Sequence, residues 1–228
     1  MRLVCFPYAG GGVPVFRDWP DGLPNVEVWV AHLPGRGSRL REAPLTRMLP
    51  LVQALARHWP AGSDKPFAFW GHSLGARIAF ELVRSLRRQS RPLPAHLLVS
   101  ACPAPQLPPA TPAIHTMPKA AFLAELRRRN GIPEEVAAQP ELMELLLPML
   151  RADFAVYETA VYCSEPPLNI PVSAFGGRED PLVSGDSLEA WSQQTSGPFQ
   201  MLLFAGDHFY LRTVEQQLLQ QIGRILVP

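Results

Sequence analysis

The sequence predicts a single α/β domain on a parallel sheet, and three observations carry that expectation. Apolar runs of strand length alternate with helix-patterned segments along most of the chain. Runs of four to eight apolar residues set between helices indicate parallel strands covered on both faces. The 228 residues are 47% hydrophobic and 18% charged, enough to bury one sizeable core.

Element by element, RLVCFP reads as a buried first strand and runs into a glycine loop, Gly10 to Gly12. VEVWVAHLP, Val26 to Pro34, is a second strand ending at LPGRG, and MLPLVQALARHW repeats apolar residues at three- and four-residue steps, as a helix does. PFAFWGHS is the third strand, and LGARIAFELVRSLRRQ after it is a strongly amphipathic helix. AHLLVSACP, PVSAFGG (Pro171 to Gly177) and PFQMLLFAG (Pro198 to Gly206) supply three more strands, and TVEQQLLQQIGRIL closes the chain as a helix. Right-handed crossovers would gather the strand C-termini along one edge, where chemistry collects in such sheets.

The rhythm breaks between Cys102 and Pro171, where no good strand is found. Prolines 103, 105, 108, 109, 112 and 118 punctuate its beginning; KAAFLAELRRRNG and PELMELLLPMLRADFAVYETAVY then read as helices. The segment is too long for a simple connection and too patterned for disorder. The expected organisation is one domain, 1–228, with a helical lid inserted at 103–165; a helical pair with no gating role is the alternative.

Composition narrows the partners. A formal net charge of +1 gives no electrostatic reason to expect nucleic acid or an anionic membrane. No apolar run approaches the roughly 20 residues needed to span a bilayer, and the start is too short and glycine-rich for a signal peptide. Cys5, Cys102 and Cys163 show no Cys-x-x-Cys spacing and sit in apolar stretches, so all three read as reduced core residues of a cytoplasmic protein.

The chemistry is carried by WGHSLG, Trp70 to Gly75. A Gly-x-Ser-x-Gly pattern alone is weak, but Ser73 follows a strand and precedes a helix, the setting of a nucleophile elbow. The tight turn leaves no room for a β-carbon at Gly71 or Gly75. The bland alternative is that Ser73 merely caps the helix. A serine hydroxyl needs a base, and the base needs an orienting acid. In this architecture the order is serine, acid, histidine, so the base lies late. Of six histidines, His208 in FAGDHFYL stands just past a late strand; a surface loop histidine is its alternative reading. SAFGGREDPLV ends a strand and presents Glu179 and Asp180, with Pro181 expected to start a helix. Asp180 is the preferred acid and Glu179 the reserve, while Asp207 adjoins His208 and is poorly placed to point at it. Oxyanion donors are expected from the backbone N–H of Leu74 and from the loop FPYAGGG. That loop lacks the spacing of a phosphate or dinucleotide fingerprint, and no metal or other cofactor is indicated. The implied chemistry is acyl transfer to Ser73 and then to water.

LVCFPYAGG, LPGRGSR, WGHSLGA, LPMLRADF, GGREDPLV and AGDHFYL together resemble the type II thioesterases, stand-alone editing hydrolases of nonribosomal peptide and polyketide assembly lines. The shared pieces run nearly end to end. The resemblance implies an α/β-hydrolase fold, with a mostly parallel sheet, helices on both faces and a helical lid. It implies the triad Ser73, Asp180 and His208, with the N–H of Ala9 as second oxyanion donor. Tyr8 stands where relatives often carry histidine, and Trp70 where smaller residues are common. Tyr8, Trp70, Phe209, Met149 and Phe154 are the pocket candidates, with Phe122, Leu126, Leu142 and Leu146 as further lining from the lid; for each of the lid residues an ordinary core contact between the lid helices is an equal alternative. The implied substrates are acyl groups on the phosphopantetheine arm of acyl or peptidyl carrier proteins, the arm being substrate rather than cofactor. Arg127 to Arg129 could meet an acidic carrier; a solvated helix face is the simpler account. A monomer is expected. A general carboxylesterase or chain-releasing thioesterase, an acyltransferase and a non-catalytic small-molecule binder are the rivals.

Overall fold

The computed structural model describes residues 1–59, 65–132, 136 and 138–227. Six strands form one sheet: β1 (Arg2–Phe6), β2 (Glu27–Val30), β3 (Phe67–His72), β4 (His96–Ser100), β5 (Val172–Gly177) and β6 (Phe199–Phe204). Their order is β2-β1-β3-β4-β5-β6, and every pairing is parallel. The chain steps outward from β1 to β2, then returns past β1 to β3. The crevice beyond the C-termini of β1 and β3 is therefore the topological switch point, where ligands bind in open α/β sheets.

The two-residue period of the strands divides the core into two layers. Val4, Phe6, Phe67, Phe69, Leu97 and Val99 face one side, against α2 (Met48–His58) and α3 (Leu74–Arg88). Leu3, Cys5, Ala68, Trp70, Leu98 and Phe175 face the other, where α1 (Trp19–Gly22) and α7 (Glu215–Leu226) pack. All six residues of β3 are buried, which explains why this strand reads as an unbroken apolar run in the sequence.

Between β4 and β5 the chain leaves the sheet. It forms α4 (Lys119–Arg128) and the 19-residue α5 (Pro140–Glu158). Of the span 103–165, residues 133–135 and 137 lie outside the described residues. The two helices share a small core of their own, built from Ile114, Phe122, Leu126, Met143, Met149 and Leu150. α5 also leans on the first loop of the sheet: a β-carbon on Gly10 (φ +80°) would stand 2.6 Å from Leu150 Cδ2.

Three expectations are corrected. Cys163 is exposed, in contrast to the buried Cys5 and Cys102, because it lies in irregular chain after α5 rather than on a strand. Pro181 does not open a helix. The Asp180 carboxylate accepts the N–H groups of Leu182 and Val183, and helix α6 (Gly185–Glu189) begins only after its own cap, Ser184. Trp70 belongs to the core: it is fully buried between Trp19 and Phe175, with ring centroids at 5.4 and 5.1 Å. Strand alternation turns it to the α1–α7 face.

Candidate active site

β3 ends at His72, and Ser73 follows with φ 54° and ψ −115° before α3 begins. This left-handed backbone is unusual for a residue with a side chain. Its carbonyl accepts the N–H groups of Ala76 and Arg77, opening the helix, while its own N–H donates to the Ser100 carbonyl at 2.8 Å. The turn is compressed from both sides. A β-carbon on Gly75 would overlap the Phe6 carbonyl, and one on Gly71 would overlap the Gly75 backbone. The two glycines thus let α3 start directly against the end of β1, with Ser73 held out above the crevice.

Loops after β5 and β6 bring the other two groups together. His208 Nδ1–H donates to Asp180 Oδ2 at 2.8 Å. The Asp180 side chain is fully buried and that of His208 is 10% exposed. The second Asp180 oxygen is fixed by the Leu182 and Val183 N–H groups at 2.8 and 3.2 Å. Glu179 turns away and accepts the Gly206 N–H. Asp207 accepts the Phe209 N–H at 2.8 Å and the Asn130 side-chain amide at 3.0 Å. Among the three acids near this edge, only Asp180 bonds the histidine.

Ser73 and His208 open onto one cavity of about 540 Å³, also lined by Tyr8, Ala9 and Leu74. Neither the Ala9 nor the Leu74 N–H donates to another group among the described residues. Two free backbone donors thus flank the serine, one at a helix N-terminus where such groups lack intrahelical partners. Phe209, Phe154 and Leu126 line the cavity. Met149, 4% exposed, and Phe122, fully buried, do not; they are spent on the core between α4 and α5. Leu142 and Leu146 stand off the lining as well. The proline-rich stretch forms a wall through Pro103, Pro105, Pro108 and Pro109, a role its composition did not suggest.

Several supporting residues escaped the sequence reading. Arg36 and Asp153 form a buried bidentate pair, with side chains 7% and 5% exposed. Arg36 Nη2 donates to Asp153 Oδ1 at 2.6 Å and Nη1 to Oδ2 at 2.9 Å. Arg36 Nη1 also donates to the Gly11 carbonyl at 2.8 Å, and Asp153 Oδ2 accepts the Gly10 N–H at 2.8 Å. Burial pushes the Asp153 carboxyl upward, against the pull of the guanidinium and the Gly10 N–H. The pair ties α5 to the loop that carries Ala9. Beneath His208, the His72 ring lies 5.4 Å away, with Nδ1 2.8 Å from Ser100 Oγ, which is 2.7 Å from the Tyr210 hydroxyl. Complete burial and the neighbouring His208 drive the His72 pKa well down, so it stays neutral. At the rim, Arg212 donates to the Tyr8 hydroxyl at 2.9 Å and lies 4.3 Å from the Phe209 ring centre. Arg129 also lines the cavity and pairs with Glu125, whereas Arg128 pairs with the same Glu125 on the exposed side.

Known proteins resemble this chain over nearly its whole length. Residues 1–226 match the family described as thioesterase domain. The chain is 42% identical to gramicidin S biosynthesis protein GrsT of Aneurinibacillus migulanus, over all of this chain and 91% of that one. It is 38% identical to thioesterase PikA5 of Streptomyces venezuelae, over 92% and 75%. Among solved structures, the RedJ thioesterase of the prodiginine pathway in Streptomyces coelicolor superposes with a TM-score of 0.90 at 38% identity, covering 99% of this chain and 85% of that one. YbtT, a type II thioesterase of the yersiniabactin pathway, gives 0.88 at 34%, covering 98% and 91%. The chain belongs to the thioesterase family, as a serine thioesterase of the type II group that serves nonribosomal peptide and polyketide pathways.

Proposed function

We propose that Ser73, His208 and Asp180 form the catalytic triad of an editing hydrolase that clears acyl groups from the phosphopantetheine arm of carrier proteins. One observation carries the assignment: Ser73, in strained backbone, shares a cavity with a histidine whose far nitrogen is held by a buried aspartate. In the first half-reaction, His208 Nε2 takes the Ser73 proton as Oγ bonds to the thioester carbonyl carbon. The oxygen charge that develops is met by the N–H groups of Ala9 and Leu74. The C–S bond then breaks, and His208 returns the proton to the departing sulfur. Water repeats the sequence on the acyl-enzyme, releasing the acid and restoring Ser73. Asp180 keeps the Nδ1–H tautomer and offsets the imidazolium charge.

The α4–α5 segment is read here as a lid on this cavity, within one hydrolase domain. Leu126 and Phe154 project from it into the lining, and Asn130, in the turn after its first helix, reaches Asp207 beside His208. The partner is an acyl or peptidyl carrier protein, and the enzyme acts as a monomer. The test is hydrolysis of acyl-carrier proteins, with matched N-acetylcysteamine thioesters and p-nitrophenyl esters as controls, by wild type and Ser73→Ala. Faster release from the carrier, lost in Ser73→Ala, supports the reading. A preference for simple esters with no gain from the carrier overturns it in favour of a general esterase.

A further inference from the structure

Arg77 follows Ser73 by four residues on α3, so the two lie on one side of the helix. Arg77 is 8% exposed, yet it lines the same cavity as Ser73. Its Nε is buried without a hydrogen-bond partner. The nearest carboxylate oxygen, Glu81 Oε1, stands 3.6 Å from it, beyond hydrogen-bond distance. No group among the described residues accepts a hydrogen bond from this guanidinium. Arg77 is thus ion-paired with Glu81 but not hydrogen-bonded to it, and a guanidinium carries five donors, so burying them unfilled is costly. Arg36 also has an unpartnered Nε, but both its Nη groups are bonded, to Asp153 and Gly11, and the Nη groups of Arg84 are taken by Glu81, Glu165 and the Cys163 carbonyl.

The surroundings neutralise Arg77 only in part, through the 3.6 Å contact with Glu81. Glu81 is shared with Arg84 at 3.2 Å, and Glu165 serves Arg84, Arg87 and Arg88. Four guanidinium groups along α3 thus meet two carboxylates. Across the cavity, Arg129 shares Glu125 with Arg128. Among the described residues the one carboxylate in the lining, Glu158, is taken by the N–H groups of Ile114 and His115 and by the His115 ring. An anion entering beside Ser73 would find an unfilled donor set and a surplus of positive charge.

We propose that Arg77 forms a carboxylate-binding subsite in the acyl chamber, so that the enzyme prefers half-thioesters of short dicarboxylic acids over neutral acyl groups of equal length. The proposal rests on the reading of Ser73 as nucleophile at this cavity. The experiment measures kcat/KM for malonyl, propionyl and β-alanyl thioesters of N-acetylcysteamine, which carry negative, neutral and positive ends on three carbons, and for glutaryl against valeryl. In wild type, at least one carboxylated substrate should exceed its neutral counterpart about tenfold, the scale set by one hydrogen bond to a charged group, and β-alanyl should be slowest. In Arg77→Met and Arg77→Gln the carboxylated-to-neutral ratio should fall by a similar factor. A wild-type ratio at or below one for both pairs overturns the proposal without recourse to any variant. So does a ratio unchanged in the variants, or an equal loss on both substrate classes. Failure of the underlying reading looks different: Ser73→Ala would then hydrolyse propionyl thioester as fast as wild type.

Discussion

Ser73 occupies backbone space that costs a residue with a side chain on the order of 1–3 kcal/mol, a strain that persists only where the surroundings impose it. Here they are Gly71, Gly75 and the end of β1, all within contact distance of the turn. Ser73→Ala should therefore fold normally and lose turnover; undiminished thioester hydrolysis by this variant would remove Ser73 from the mechanism. For Asp180 the isosteric Asp180→Asn is the sharper test. Its remaining oxygen can still accept from Leu182 and Val183, but its amide faces His208 Nδ1 and favours the wrong tautomer. A kcat loss of roughly 10⁴ is expected from the behaviour of such triads, with little change in thermal stability. A near-normal kcat would pass the role to Glu179. At this scale the sequence was informative because each group sits next to a strand end, and strand ends are marked by apolar runs and glycines. Side-chain direction was less legible. Trp70 adjoins the site in sequence but points into the opposite core layer, and Met149 fills the space between two helices.

Secondary-structure elements were readable wherever burial on both faces wrote a continuous apolar run, as in β3, β4 and β5. Contacts between distant elements were not. Arg36 and Asp153 are 117 residues apart, and neither stretch reveals a need for the other. Their pairing makes α5 an anchor of the loop that presents the Ala9 N–H. Asp153→Ala would leave a buried guanidinium uncompensated, which costs roughly 3–5 kcal/mol when such pairs are broken. Urea unfolding should show a loss of that order. The loop would also lose the acceptor for Gly10, so kcat on a small N-acetylcysteamine thioester should fall more than KM rises. Lower stability with unchanged kcat would mean that the pair holds α5 in place and does nothing for the oxyanion donors.

Across the whole molecule, two histidines built into the sheet make stability depend on acid. His96, at the start of β4, places Nε2 2.8 Å from Ser173 Oγ, and burial lowers its pKa to about 4 from 6.5. His72, at the end of β3, is displaced in the same direction by complete burial. The unfolded chain takes up protons near pH 6.5, whereas the folded chain holds these rings neutral to lower pH. Between about 6.5 and 4 the unfolded state therefore binds more protons, and the folding free energy weakens as pH falls; above 6.5 both states are neutral and the effect vanishes. Equilibrium urea unfolding from pH 4 to 8 should show a plateau at the alkaline end and a decline below about 6.5. In His96→Gln, which keeps a polar group beside Ser173, the slope in that window should shrink by up to one proton's contribution. An identical slope in the variant would mean that the decline belongs to other groups and that His96 titrates alike in both states.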